Sequence, residues 1–354
     1  MSLGFNEKFA VDSSVREALQ AVTFACPLCH APLSHPNGLE YYACQTCKKE
    51  YASCAGIPDF RVFPDPFFSV EEDQRRSELI IGELDRCDFS QLLEYYWSLS
   101  EITPPLLRRK FVRSALLGEH RAQRILSSFE DGTFKTPIKA RRVLDVGSGN
   151  GNFLVVAAQH FPQVIGIDIG MRHLQISRRR FIDRSVPVPA LACCCAEHLP
   201  FPDSYFDLIV MSSTLEFVRD QEKVLRECVR TLAPEGSLYI QTVNRYSIAR
   251  DPYSYLWGVG FLPRGWQAGY VRWRRQAVYS HIKTISLREL KHLTANQFGH
   301  REISLPDVHT SVISQFDFTT RLQIRIYKKL KTSPILRDLL PVVGPGWEVL
   351  LRKA

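Results

Sequence analysis

The sequence predicts an α/β protein: an open, largely parallel sheet with a small metal-held module before it and an aromatic-rich cap inserted late in it. Three observations carry that expectation. A short apolar run, Val143, Leu144 and Val146, ends in a turn with glycine at every second position, Gly147, Gly149 and Gly151, and then passes into an apolar-periodic segment. Strand-like and helix-like periods alternate from there to about residue 243. Two Cys-x-x-Cys pairs lie near the N-terminus, far from any secretory pattern. At 354 residues the chain has room for about two domains and a core that needs no disulfides.

The first module reads from its cysteines. Cys26-Pro-Leu-Cys29 and Cys44-Gln-Thr-Cys47 are separated by 14 residues, the spacing of a zinc ribbon. Each pair supplies two thiolates from a tight turn, and four sulfurs fill a tetrahedral Zn²⁺ shell with no open position, so the metal is expected to be structural. A redox pair or scattered core cysteines are the alternatives. Cys54, His30 and His35 are read as bystanders, and Cys193, Cys194 and Cys195 as small apolar fillers on a strand, whose alternating side chains cannot converge on one metal.

Next comes a linker, Phe63-Pro-Asp-Pro-Phe67, followed by helical patterns at Glu71 to Leu84 and Arg108 to Phe129, with Tyr95-Tyr96-Trp97 between them. This divides the chain into residues 1–62 (ribbon), 63–140 (helical linker and N-terminal cap) and 141–354 (sheet domain, with a cap insertion at about 245–284).

In the sheet domain, Val143 to Val146 reads as a buried parallel strand and the segment from Phe153 as a helix. Glycines at 147, 149 and 151 allow positive φ and close backbone approach to a ligand. A dinucleotide fingerprint would be G-x-G-x-x-G, and here its third position is Asn152. A second strand, Val164 to Ile169, holds Asp168, 17 residues beyond Gly151, where a carboxylate can accept hydrogen bonds from both hydroxyls of a ribose.

Asp145-x-Gly147-x-Gly149-x-Gly151 resembles motif I of the class I S-adenosylmethionine-dependent methyltransferases. The resemblance extends over the following 90 or so residues. Cys193 to Ser213 is similar to the segment leading into strand four in the ubiquinone/menaquinone-biosynthesis branch, and Asp220 to Gly236 to that branch's helix and turn before strand five (Ser237 to Val243). Tyr51 and Gly56 to Phe60 resemble the small zinc-ribbon proteins that activate some methyltransferases, and also the ribbon of certain rRNA guanine methyltransferases.

The resemblance implies a Rossmann-like seven-stranded methyltransferase sheet binding S-adenosylmethionine through Asp145, Gly147, Ser148, Gly149, Gly151, Asp168, Ile169, Cys195, Ala196, Glu197 and Ser212. The family's adenine-facing Asp falls at Cys195. The family's "L-E-H-V" reads Leu215-Glu216-Phe217-Val218, without its histidine. Candidate bases are Glu216, His281 and Tyr246. Ser212-Ser213-Thr214-Leu215 stands where amine-methylating enzymes carry "N/D-P-P-Y/F", which disfavours methylation of an exocyclic base nitrogen.

Residues 244–284 mix nine Trp, Tyr and Phe rings with six arginines. Such a cap suits a membrane-water interface and an amphiphilic acceptor, stacked RNA bases, or a simple lid. Beyond it, Ser286 to Phe298 reads as a helix, Arg301 to Val308 as strand six and Trp347 to Lys353 as strand seven.

The formal charge of +8 is compatible with nucleic acid, an anionic membrane surface or an anionic substrate. No run of 18 apolar residues predicts a spanning helix. The ten cysteines and the absence of a signal layout lead us to expect a cytoplasmic protein. The function expected is methyl transfer to an oxygen or carbon of a small or lipid-like metabolite, with peripheral membrane contact as one possible partner mode. An rRNA or tRNA methyltransferase docking RNA through its ribbon and basic faces is the alternative.

Overall fold

The strand β5 (Arg142–Val146) organises the molecule. In the computed structural model, which describes residues 13–35, 40–135, 138–307, 313, 318–333 and 338–353, it lies inside a seven-stranded sheet ordered β10-β11-β9-β8-β5-β6-β7. The other strands are β6 (Gln163–Asp168), β7 (Ala190–Cys193), β8 (Phe206–Ser212), β9 (Leu232–Val243), β10 (His300–Ser304) and β11 (Gly346–Arg352). β5 to β9 pair in parallel, while β11 runs antiparallel to both β9 and β10. Helices cover both faces, so the central strands are nearly continuous apolar runs: Ile209, Val210 and Met211 of β8 have no exposed surface.

From β5 the chain winds outward through α6 (Asn152–Ala157), β6, α7 (Met171–Arg184) and β7, then returns to the other side of β5 with β8, α8 (Gln221–Thr231) and β9. The carboxyl ends of β5 and β8 therefore flank the point where strand order reverses, where such sheets open a crevice.

Four boundaries differ from the sequence reading. The single helix expected over Arg108 to Phe129 is two, α4 (Pro105–Leu116) and α5 (Gly118–Ser128). The break lets Gly118 press against the Asn152 amide, where any Cβ would collide. Tyr95 to Trp97 lies on its own helix, α3 (Phe89–Ser98), capped by a reciprocal Asp88–Gln91 box. The turn expected before Ser237 is drawn into β9 as an irregularity, the pairing stepping from Phe206–Leu232 to Leu208–Ser237. Of the three adjacent cysteines only Cys193 is in a strand; Cys194 and Cys195 follow β7, all three buried. Val308, the expected end of strand six, lies outside the described residues.

The N-terminal module is a four-stranded antiparallel sheet, β1 (Leu33–Ser34), β2 (Tyr41–Cys44), β3 (Glu50–Cys54) and β4 (Ile57–Pro58), with α1 (Ser13–Gln20) before it. It seals the β7 edge. Asp59 bridges Cys193 in parallel, Phe60 N–H donates to Cys193 O (2.7 Å) and Ala25 N–H to Pro200 O (2.9 Å). Phe24 stacks between Phe60 and Phe201 at 5.0 and 5.6 Å, so one apolar core runs from ribbon to sheet. An open edge thus becomes a covered one.

The linker leads into α2 (Val70–Glu83). The cap insertion holds α9 (Arg264–Arg275), followed by α10 (Leu287–Ala295), and α11 (Phe318–Thr332) and α12 (Leu340–Val343) precede β11.

Candidate active site

The glycine turn is shaped by its backbone. Gly147, Gly149 and Gly151 all have positive φ, at 72°, 51° and 73°. At Gly147 a side chain would strike Thr214, whereas Gly149 faces open space. Gly147 and Ser148 N–H both donate to Ile167 O at 2.8 Å, pinning the turn to the end of β6. There Asp168 accepts Gly149 N–H on one carboxylate oxygen (2.9 Å) and Gly170 N–H on the other (2.8 Å). Each oxygen keeps a lone pair for a further donor. Burial pushes Asp168 up to about 6, against those two N–H groups and Arg172, which lower it. Asp145, buried behind the turn, is pushed to about 8 by burial and by Asp168.

The turn forms one wall of a cavity of about 500 Å³. Of the expected cofactor residues, Gly147, Gly149, Asp168, Ile169, Ala196 and Glu197 line it. Asp145, Ser148 and Gly151 stand behind the turn. Ser212 donates instead to Gln241 Oε1 (2.9 Å), and Ser213 and Thr214 take the lining positions. Cys195 is also turned away: its thiol meets Phe63 O at 3.4 Å, and Cys194 reaches the cavity in its place.

The three candidate bases do not line it. Glu216 is fully buried and accepts Thr242 Oγ1–H (2.7 Å) and Val243 N–H (2.6 Å), tying the loop after β8 to β9. His281 is exposed and packs edge-on against Phe67 at 5.4 Å. Tyr246 stacks on Phe261 at 5.6 Å. The side chain of each is engaged elsewhere.

Several lining residues escaped the sequence reading. Arg121 of α5 reaches the cavity with hydrogen bonds to Ser114 Oγ (3.3 Å) and O (3.0 Å), and among the described residues no carboxylate pairs with it. His173, half-buried against Tyr96, contacts Asn150 Oδ1 through Nδ1 at 3.2 Å; desolvation, aided by Arg172, pushes it down to about 3, so the ring is neutral. Tyr96 and Trp97 also line the space. The far wall is apolar: Phe67 from the linker, Phe217 after β8, and Tyr253, Val271 and Ile282 from the cap.

A buried ion network supports the wall that carries Asp168. Arg172 pairs with Asp73 (2.5 Å) and Asp65 (3.1 Å), Arg61 with Asp73 (2.8 Å) and Asp59 (2.5 Å), and Asp73 also accepts Met171 N–H (2.9 Å). Arg61 donates to Ile169 O at 3.3 Å. The end of the ribbon, the linker, α2 and the start of α7 thus meet within four residues of Asp168. Removing one member would leave an uncompensated buried charge, costing ~3–5 kcal/mol. No motif flags these residues, because they are scattered from 59 to 172.

The four cysteine sulfurs of the ribbon lie within 4.8 Å of one another, with Cys26–Cys47 and Cys29–Cys44 both at 3.5 Å. Both knuckles follow one pattern. Cys26 N–H donates to Ala31 O and Cys44 N–H to Lys49 O, each at 2.8 Å. The residue after each second cysteine, His30 or Lys48, has φ near 58° (59° and 57°).

Residues 144–240 match the family model described as a methyltransferase domain. A ubiquinone biosynthesis O-methyltransferase of Alkalilimnicola ehrlichii is 27% identical over 194 residues, 51% of this chain and 74% of that protein. One of Chromobacterium violaceum is 28% identical over 191 residues, 52% of this chain and 74% of that one. The YcgJ protein of Bacillus subtilis aligns in structure over 66% of this chain and 99% of its own, with 21% identity and a TM-score of 0.41. With the family match, the strand order and the glycine turn beside Asp168 in agreement, the chain carries a methyltransferase domain of the class I, S-adenosylmethionine-dependent kind.

Proposed function

We propose that this enzyme methylates an oxygen or a carbon of a small, lipid-like metabolite. The observation that supports this most is the apolar share of the cavity lining, Phe67, Phe217, Tyr253, Val271 and Ile282. Such a surface favours an apolar ring or chain over a charged acceptor. Relatives named for O-methylation in ubiquinone biosynthesis point the same way.

The residues fit the cofactor. Asp168 offers free lone pairs for ribose hydroxyls, the open space at Gly149 admits close approach, and Arg121, held by Ser114, provides a cation for the cofactor's carboxylate. Ile169, Ala196 and Glu197 would border the adenine. Asp145, Ser148 and Gly151 would hold the turn from behind. When bound, S-adenosylmethionine supplies a methyl group already activated on a sulfonium sulfur. The protein's task is then chiefly to position the acceptor in line and keep it there.

We assign the ribbon a closed structural Zn²⁺ site at Cys26, Cys29, Cys44 and Cys47. Zn–S bonds of about 2.3 Å put tetrahedral sulfurs about 3.8 Å apart, a spacing these thiols approach. All ten cysteines are unpaired, as suits a reducing cytoplasm. Among the described residues no helix is long and apolar enough to cross a membrane.

The test is incubation with methyl-labelled cofactor and a panel of phenolic, catecholic and quinol lipids beside unmodified rRNA and tRNA, with products mapped by mass spectrometry. A methyl on an oxygen or ring carbon of a lipid is the expected product. Methylation of the RNA alone would refute the reading.

A further inference from the structure

Helix α9 carries large apolar side chains on its exposed face. It buries Gln267, 3% exposed, and Val271, fully covered, while Trp266 and Trp273 are 70% and 75% exposed. Seven residues apart, the two indoles project from one face, two helical turns from each other. Gly269, also exposed, and the half-buried Tyr270, its ring 6.3 Å from Trp273, lie between them, so no charged side chain interrupts that face. A helix that only covers a lid would place its polar residues outward.

The flanks are cationic. Arg272 and Arg274 border the tryptophans, and the Arg274 guanidinium sits 5.3 Å from the Trp273 ring. Trp257, 55% exposed, carries Arg250 at 4.5 Å. Residues 245–284 hold seven basic side chains and one acid, Asp251. That acid is spent internally on Tyr279 OH (2.7 Å) and Ser254 Oγ–H (2.8 Å). The other face of α9 belongs to the cavity through Val271. Just beyond the helix, Val278 lines the cavity and is 48% exposed, as is Ile102 across it at 53%. Apolar side chains thus reach the surface at the cavity rim beside the tryptophan-bearing helix.

We propose that α9 seats this enzyme on an anionic bilayer surface. Trp266 and Trp273 lie at headgroup depth, where indoles are favoured, and the flanking arginines meet lipid phosphates. Charge complementarity selects this partner, because the face offers cations around an apolar stripe and no free acid. A lipid-like acceptor would then pass sideways from the membrane to the mouth beneath α9. Only this last purpose rests on the acceptor proposed above; the docking does not.

Co-sedimentation with vesicles tests it. The whole protein should bind phosphatidylglycerol/phosphatidylcholine vesicles at least about tenfold more tightly than phosphatidylcholine alone, with a blue shift in tryptophan emission. Trp266→Ser with Trp273→Ser should weaken that binding at least about tenfold and leave S-adenosylmethionine affinity in solution unchanged. Failure of the unaltered protein to bind anionic vesicles, equal binding by the double variant, or tryptophan-dependent capture of single-stranded RNA in place of vesicles would each overturn the proposal. Vesicle binding without methylation of any lipid would remove the acceptor reading and leave the docking standing. Methylation of a detergent-dispersed lipid without vesicle binding would do the reverse.

Discussion

The two walls of the cavity are made differently. The wall proposed to hold the cofactor is backbone: three glycines at positive φ and a carboxylate held by two N–H groups, all within residues 147–170. The wall proposed to meet the acceptor is side chains, gathered from the linker, α3, the loop after β8 and the cap. Backbone geometry of the first kind tolerates few residue types, because only glycine adopts such φ values without cost. An apolar wall tolerates many, since burial rewards area more than identity. One wall should therefore fail sharply under substitution and the other gradually.

The largest effect is expected at Gly147. Gly147→Val forces a β-branched residue to positive φ and into Thr214, and S-adenosylmethionine binding should fall by at least about 100-fold in calorimetry. Retained affinity would mean the turn is not the cofactor wall.

Next comes the ribbon. Metal analysis should find one zinc per chain, and Cys44→Ser should abolish it and loosen Asp59 and Arg61, weakening cofactor binding by about three- to tenfold through the network at Asp73. A metal-free protein with unchanged cofactor affinity would separate the ribbon from the site. The smallest effect should come from the opposite wall. Phe217→Ala ought to raise the acceptor KM by about tenfold while cofactor affinity stays within about twofold. Equal loss of both would show that the two walls are not independent.

The same contrast explains what was legible in the sequence. Gly147, Gly149 and Asp168 could be read because strand, turn and acid obey spacings imposed by backbone conformation. The ribbon was readable for a similar reason: four thiols on two turns need fixed intervals. The acceptor side carried no such signal. Glu216, His281 and Tyr246 are chemically suitable but face other partners, and nothing in local sequence reports which way a side chain turns. Cys195 shows this within a single step: it and Cys194 are adjacent, and only Cys194 faces the cavity. Arg121 and the Arg61–Asp73–Arg172 network come together only through the tertiary fold.

The central claim, that Asp168 beside the glycine turn grips the cofactor, is tested most directly by titrating S-adenosylmethionine into the protein and into Asp168→Ala across pH. Above about pH 6 the carboxylate is charged and accepts; below that it protonates and loses acceptor capacity. Wild-type affinity should therefore decline as pH drops through about 6. The variant should bind roughly 10- to 100-fold more weakly at neutral pH, as befits lost hydrogen bonds to a charged group, with that pH dependence gone. Equal affinity of the two proteins, with the same pH profile, would contradict the account.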